Sequence, residues 1–119
     1  MFAAIDIDGT VSRHPAVLDI IANAKLESSV FLTGHSNENP ATADKTQLLA
    51  GRIQQLAALG ITTHLPIIIC VGRNSTEVAE QKGIFCRDNK VELFIDDSIN
   101  YCEAVRRLSP NTAIFHVFP

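Results

Sequence analysis

The sequence lacks the features that assign a chain to several specialised classes of protein. It holds three cysteines, and none of them stands in a Cys-x-x-Cys pair, so we expect Cys70, Cys86 and Cys102 to be reduced, packed thiols in a cytoplasmic protein. No apolar run approaches the ~20 residues that would span a bilayer. No charged segment followed by an apolar one opens the chain, so no signal peptide is expected.

A large excess of positive charge is also missing. The formal net charge is -3, which gives no indication of electrostatic capture of nucleic acid. There is no internal repeat, low-complexity tract or linker. The 119 residues, of which 46% are hydrophobic, suit one domain with a substantial core, so we predict a single domain over residues 1–119.

Short apolar runs recur along the chain. They lack polar alternation and are rich in β-branched or aromatic residues, which is typical of strands buried on both faces of a sheet. The five predicted strands are Phe2–Ile5, Val30–Leu32, Pro66–Val71, Val91–Ile95 and Ala113–Val117.

Segments with helical spacing lie between these runs. Three of them have a predicted buried face: Val17, Ile20, Ile21 and Ala24; Leu48, Leu49, Ile53, Leu56 and Leu59, ended by Gly60; and Ile99, Cys102, Val105 and Leu108, capped by Ser98. A further helix, capped by Ser75, is predicted from about Glu77 to Asp88. The alternation predicts a three-layer, doubly wound Rossmann-like α/β fold with a five-stranded parallel sheet.

Polar residues stand where the predicted strands end. Asp6 and Asp8 follow the first strand, Thr33 the second, and Asp96 and Asp97 the fourth. In a parallel sheet these ends share one edge, where ligands bind. Neighbouring carboxylates repel one another unless a cation joins them. Hard oxygen ligands of this kind suit Mg²⁺, which we therefore expect as the cofactor.

Such a site could act on a phosphate ester. Mg²⁺ joining Asp6, the phosphate and Asp96 would cancel the repulsion between anions. Asp6 could then form an aspartyl-phosphate. Asp8 could protonate the leaving oxygen and later activate water. Thr33 could donate a hydrogen bond to the phosphate.

These residues together resemble the haloacid dehalogenase (HAD) superfamily of phosphohydrolases. The motif Asp-x-Asp-Gly-Thr reads Asp6-Ile7-Asp8-Gly9-Thr10, a Thr after the next strand reads Thr33-Gly34, and the acidic pair reads Asp96-Asp97. The family's lysine is weakly defined, and Lys82 fits it better than Lys90.

The resemblance implies a role for each of these residues. Asp6 would be the nucleophile and Asp8 the general acid/base. Thr33, Gly34 and Lys82 would bind the phosphoryl group. The Asp6 carboxylate, the Asp8 backbone carbonyl and Asp96 would hold Mg²⁺, with Asp97 as a further ligand or an outer-shell partner.

The resemblance also implies a function, namely a capless, Mg²⁺-dependent phosphatase acting on phosphate monoesters. The segments between the strands are too short for a cap domain, so an open site would admit a bulky substrate, such as a nucleotide or a polynucleotide end. Nucleic acid is thus considered as a substrate only, and no membrane partner is expected. Two alternative functions stay open, a phosphotransferase and a non-catalytic metal- or phosphate-binding regulatory module. A homo-oligomer in which a second copy covers the site also stays open.

Overall fold

A five-stranded, all-parallel sheet forms the middle layer of the protein in this computed structural model, which describes residues 1–17, 19, 28–61 and 65–118. The order across the sheet is β3-β2-β1-β4-β5. The strands are β1 (Ala3–Ile5), β2 (Val30–Ser36), β3 (Ile67–Gly72), β4 (Leu93–Asp96) and β5 (Ala113–His116). The described helices are α1 (Lys45–Ala58), α2 (Ser75–Asp88) and α3 (Ile99–Leu108).

Helices cover both faces of this sheet. One buried cluster joins Leu56 of α1 to Phe31, Ile5 and their neighbours. A second cluster joins α2 and α3 to the opposite face and contains Val78, Cys86, Cys102 and Val105. The predicted three-layer α/β fold with a five-stranded parallel sheet is confirmed. The three cysteines are buried and unpaired, as expected.

Some details of the elements differ from the sequence-based prediction. Strand β2 continues to Ser36 and pairs with β3 as far as Gly72, so Thr33 lies inside the strand instead of after it. Asn74, not Ser75, caps α2, since its side chain accepts a hydrogen bond from the Glu77 amide. Ser98 caps α3 as predicted.

The long apolar stripe predicted on α1 is mostly not buried. Only Leu56 of that helix is buried, whereas Leu49, Ile53 and Leu59 are exposed. Gly60 ends the helix with a positive φ of 74°, the conformation that glycine adopts most readily. Most of the first predicted helical stripe, namely Ile20, Ile21 and Ala24, lies outside the described residues.

No helix within the described part of the chain combines the length and the apolar character required to cross a membrane.

Candidate metal centre

Three carboxylates meet at the carboxyl edge of the sheet. Strands β1 and β4 are neighbours, so the residues at their ends, Asp6 and Asp96, come together although they are far apart in sequence. One oxygen from each of Asp6, Asp96 and Asp97 lies within 4.8 Å of the others. Asp6 and Asp96 are buried, and Asp97 is half-buried. Of the carboxylates predicted to share this edge, the structure brings Asp6, Asp96 and Asp97 together.

A buried lysine joins two of these carboxylates. The Nζ atom of Lys82, from the middle of α2, donates to Asp6 Oδ1 at 3.0 Å and to Asp96 Oδ2 at 2.8 Å. The same ammonium lies 4.5 Å from the centre of the Tyr101 ring, an attractive contact. Lys90 is exposed and lies just after the C-terminal end of α2, the end that is farther from these carboxylates. Lys82 is therefore the lysine that the fold brings to this edge.

The cluster carries more negative than positive charge. When all three carboxylates are ionised they face one ammonium, which leaves two negative charges uncompensated among these four side chains. Burial raises the pKa of Asp6 to about 7 against the opposing effect of Lys82, and it raises the pKa of Asp96 as well. Burial alone would lower the pKa of Lys82, but Asp96 and Asp6 together raise it. The site therefore favours additional positive charge.

Backbone and hydroxyl groups fix the carboxylates in place. The Ser98 amide donates to Asp96 Oδ1 at 2.9 Å. The Thr10 hydroxyl lies 3.1 Å from Asp6 Oδ2 and 3.2 Å from Asp97 Oδ1. Thr10 was noted in the sequence only as part of the Asp-x-Asp-Gly-Thr motif, and no role was predicted for it. Its position four residues after Asp6, in a turn that folds back toward the strand end, is the signal that could have revealed it.

Gly9 lets the chain turn tightly beside Asp97. Its φ is 80°, and a Cβ atom at this position would collide with the Asp97 carboxylate. The turn from Ile7 to Val11 can therefore pass directly under that side chain only with glycine at position 9.

The Asp8 carboxylate lies apart from the other three. It accepts hydrogen bonds from Arg52 Nη1 at 2.7 Å and Gln55 Nε2 at 2.6 Å, both on α1. Arg52 also donates to the Gly34 carbonyl at 3.0 Å. These contacts of Arg52 and Gln55 were not predicted, although two polar residues one turn apart within an apolar stripe were a signal for them. The structure does not test the Asp8 backbone carbonyl as a metal ligand, which stays a prediction.

Thr33 and Gly34 approach the same edge from β2. Thr33 is fully buried, and its hydroxyl has no hydrogen-bond partner among the described residues. A Cβ atom at Gly34 would collide with Val78 of α2. Glycine at this position therefore keeps α2, and with it Lys82, close to the strand ends. The phosphate-binding roles predicted for Thr33, Gly34 and Lys82 stay predictions.

An open cleft of about 290 Å³ lies over these groups. Asp6, Asp8 and Asp97 line it together with Gly34 and Tyr101. The start of α2 and the start of α3 also contribute to its wall, through Ser75, Ser98 and Asn100. Asp6 and Asp97 of the carboxylate cluster thus border an open cleft on the side where two helices begin, whereas Asp96 is fully buried beneath them.

The chemistry of this donor set fits Mg²⁺. Mg²⁺ takes oxygen ligands, binds few carboxylates and keeps several waters. Asp6, Asp96 and Asp97 offer hard oxygen atoms close together, and the cleft leaves room for further oxygen ligands. The two uncompensated negative charges equal in magnitude the positive charge of a divalent cation.

Comparisons with known proteins give one fold neighbour. No protein-family model and no curated protein matches the chain. A crystal structure of a protein from the universal stress protein family of Burkholderia pseudomallei superposes with a TM-score of 0.60. The match covers 99% of this chain and 96% of that chain at 14% sequence identity. A likeness at this identity shows the fold alone.

This neighbour overturns the assignment to the HAD superfamily. The similar structure belongs to another family, and no comparison points to a HAD phosphohydrolase. The predicted Mg²⁺-dependent phosphatase is therefore wrong, and its alternatives, a phosphotransferase and a regulatory module, are not supported. The physical reason is that every doubly wound sheet collects its strand-end residues at one edge, so short acidic motifs there do not specify a reaction. The catalytic roles assigned to Asp6 and Asp8 are not tested by the structure.

Proposed function

We propose that this chain binds a divalent cation, Mg²⁺, through Asp6, Asp96 and Asp97. The observation that carries the proposal is the buried carboxylate cluster, which a single lysine compensates only in part. Bound Mg²⁺ would supply the missing positive charge and would lower the repulsion among the three carboxylates.

Asp97 is the best residue with which to test this proposal. It is half-buried and makes no ion pair with Lys82, unlike Asp6 and Asp96. Replacing Asp6 or Asp96 would leave a buried ammonium with one partner fewer, so a loss of binding could reflect unfolding. Asp97→Asn keeps the size of the side chain, removes its charge and replaces one of its two oxygen atoms with an amide nitrogen.

Isothermal titration calorimetry with MgCl₂ tests the cation directly. We expect saturable binding of one Mg²⁺ by the wild-type chain and a loss of affinity of about tenfold or more in Asp97→Asn, because a close charge is removed. Asp88→Asn is the matched control, since Asp88 is exposed at the far end of α2. Equal Mg²⁺ affinity in Asp97→Asn and Asp88→Asn would contradict the proposed site.

The ligand that we propose for the bound cation is a phosphorylated molecule. Mg²⁺ commonly completes its shell with phosphate oxygens. Ser75 begins α2 and Ser98 caps α3 at the cleft, and helix N-termini attract anions. The unpartnered Thr33 hydroxyl beside Gly34 offers a further donor at this edge. Inorganic phosphate should therefore bind more tightly with Mg²⁺ than without it.

We also propose a cytoplasmic location. Three free cysteines are buried in the described structure, and thiols of this kind persist unpaired in a reducing compartment. Burial raises the pKa of Cys70 to about 11 and that of Cys86 to about 12, which keeps both as unreactive thiols at neutral pH.

A further inference from the structure

A polar groove continues outward from the cleft, between α2 and α3. Its volume is about 470 Å³, and it shares Ser75 and Asn100 with the wall of the cleft. A molecule bound at the carboxylate cluster could therefore extend along the groove without leaving the protein surface.

Small residues create this groove. Ala79 of α2 and Ala104 of α3 line it, and neither has a side chain long enough to fill the space between the two helices. One turn further along, Gly83 lies against Leu108, so close that a Cβ atom on Gly83 would meet Leu108 Cδ1 at 2.7 Å. The helices are thus in tight contact one turn beyond these two alanines.

Polar side chains rim the groove. Glu103 and Arg107 project from α3, and Asn100 stands where the groove meets the cleft. The contact between Arg107 and Glu80 is long, 3.9 Å, and both side chains are more than half exposed. A contact of this kind contributes little, so Arg107 can turn its donors toward a ligand.

The chemistry of the rim favours hydroxyl groups. Glu103 accepts hydrogen bonds, Arg107 donates them, and the amide of Asn100 does both. A sugar hydroxyl likewise donates and accepts. None of the described residues that line the groove is aromatic, so a nucleobase would find no ring on which to stack.

We propose that this groove binds the hydroxylated, sugar-like part of a ligand whose phosphate lies at the cation. This inference rests on the proposed function, since the phosphate and Mg²⁺ anchor one end of the ligand. Arg107 and Glu103 would then select for the sugar, whereas the carboxylate cluster would hold the phosphate through the cation.

Calorimetry at saturating Mg²⁺ tests this inference with inorganic phosphate, glucose 6-phosphate, ribose 5-phosphate and glycerol 3-phosphate. We expect at least one sugar phosphate to bind wild type about tenfold more tightly than inorganic phosphate. Arg107→Ala and Glu103→Ala should each reduce that preference about three- to tenfold, the usual effect of losing one hydrogen bond, and leave phosphate affinity unchanged. Arg106→Ala is the matched control, because Arg106 is exposed one residue away and does not line the groove.

The outcomes separate the two proposals. If Mg²⁺ and inorganic phosphate bind but no sugar phosphate binds more tightly, the groove proposal is overturned and the proposed function stands. A preference that Arg107→Ala and Glu103→Ala leave intact also overturns the groove proposal. If neither Mg²⁺ nor phosphate binds, the proposed function fails, and the groove proposal fails with it.

Discussion

Lys82 is a charged residue with no exposed surface, held between two carboxylates. Removing charges from water is expensive, and their mutual attraction offsets this cost only while every member is present. The Tyr101 ring adds a further attraction on one side of the ammonium. A single side chain thus connects α2 to the ends of β1 and β4, and the arrangement of Asp6 and Asp96 depends on it.

Replacing this lysine with methionine should destabilise the protein strongly. Lys82→Met keeps an unbranched side chain, one atom shorter, but leaves Asp6 and Asp96 buried without the ammonium. We expect the free energy of unfolding to fall by about 3–5 kcal/mol, measured by urea denaturation in the absence of divalent cations. Lys90→Met, at an exposed position, is the control and should stay within about 0.5 kcal/mol of wild type. A similarly small effect of Lys82→Met would refute the structural role of the ion pairs that Lys82 makes with Asp6 and Asp96.

Alanine substitutions at Gly9 and Gly60 test whether the chain must turn tightly beside Asp97. Gly9 and Gly60 both have positive φ, 80° and 74°, but a Cβ atom would meet Asp97 at Gly9 and nothing within 4 Å at Gly60. Gly60→Ala should therefore cost only the backbone strain, about 1–2 kcal/mol. Gly9→Ala should destabilise the protein further and also weaken Mg²⁺ binding, because Asp97 must move.

Urea denaturation and a Mg²⁺ titration of the two alanine variants would check this. The control is Gly60→Ala, which should bind Mg²⁺ with wild-type affinity. If Gly9→Ala matched Gly60→Ala in both measurements, Asp97 would not be held where the structure has it.

Helix α1 shows what a periodic pattern can and cannot predict. Its end at Gly60 follows from glycine chemistry and is found, whereas the helix begins at Lys45, three residues before the first residue of the predicted apolar stripe. Its buried face was predicted wrongly, because apolar spacing does not say how much sheet surface the helix meets. Only Leu56 reaches the core, and polar contacts from Arg52 and Gln55 to Asp8 attach the helix to the site.

The attachment of α1 can be measured by a double-mutant cycle. Arg52→Ala, Asp8→Ala and the double variant should give a coupling energy of about 1 kcal/mol in urea denaturation. The Arg52 side chain is only 19% exposed but Asp8 is 55% exposed, so the value should lie at the upper end for surface pairs. Additive effects would mean that the contact does not connect the helix to the turn after β1.

At the scale of the whole molecule, the sheet order explains the site. β1 lies at the centre, with β2 and β4 beside it, so the residues after β1 and at the end of β4 must meet. The apolar runs predicted the strands and the shared edge, because burial on both faces demands such runs. The strand order, the contacts of Arg52 and Gln55 with Asp8 and the depth at which Lys82 is buried depend on contacts between distant segments, which local spacing does not encode.

The HAD assignment was wrong for a reason that lies in the architecture of the whole sheet. A doubly wound sheet presents its strand-end residues at one edge whatever the protein does there. Asp6, Asp96 and Asp97 could therefore be placed from the sequence, but a reaction could not be derived from that placement. Activity depends on the detailed geometry of the site, which the few residues of a short motif do not determine.

Anomalous scattering from crystals soaked in MnCl₂ would locate the bound cation, since Mn²⁺ takes the same carboxylate and water oxygens as Mg²⁺. We expect one strong anomalous peak in contact with Asp6, Asp96 and Asp97, which disappears or weakens in Asp97→Asn crystals and when excess Mg²⁺ competes. A map from wild-type crystals with no peak at these carboxylates, or with peaks only elsewhere on the protein, would contradict the proposed cation site.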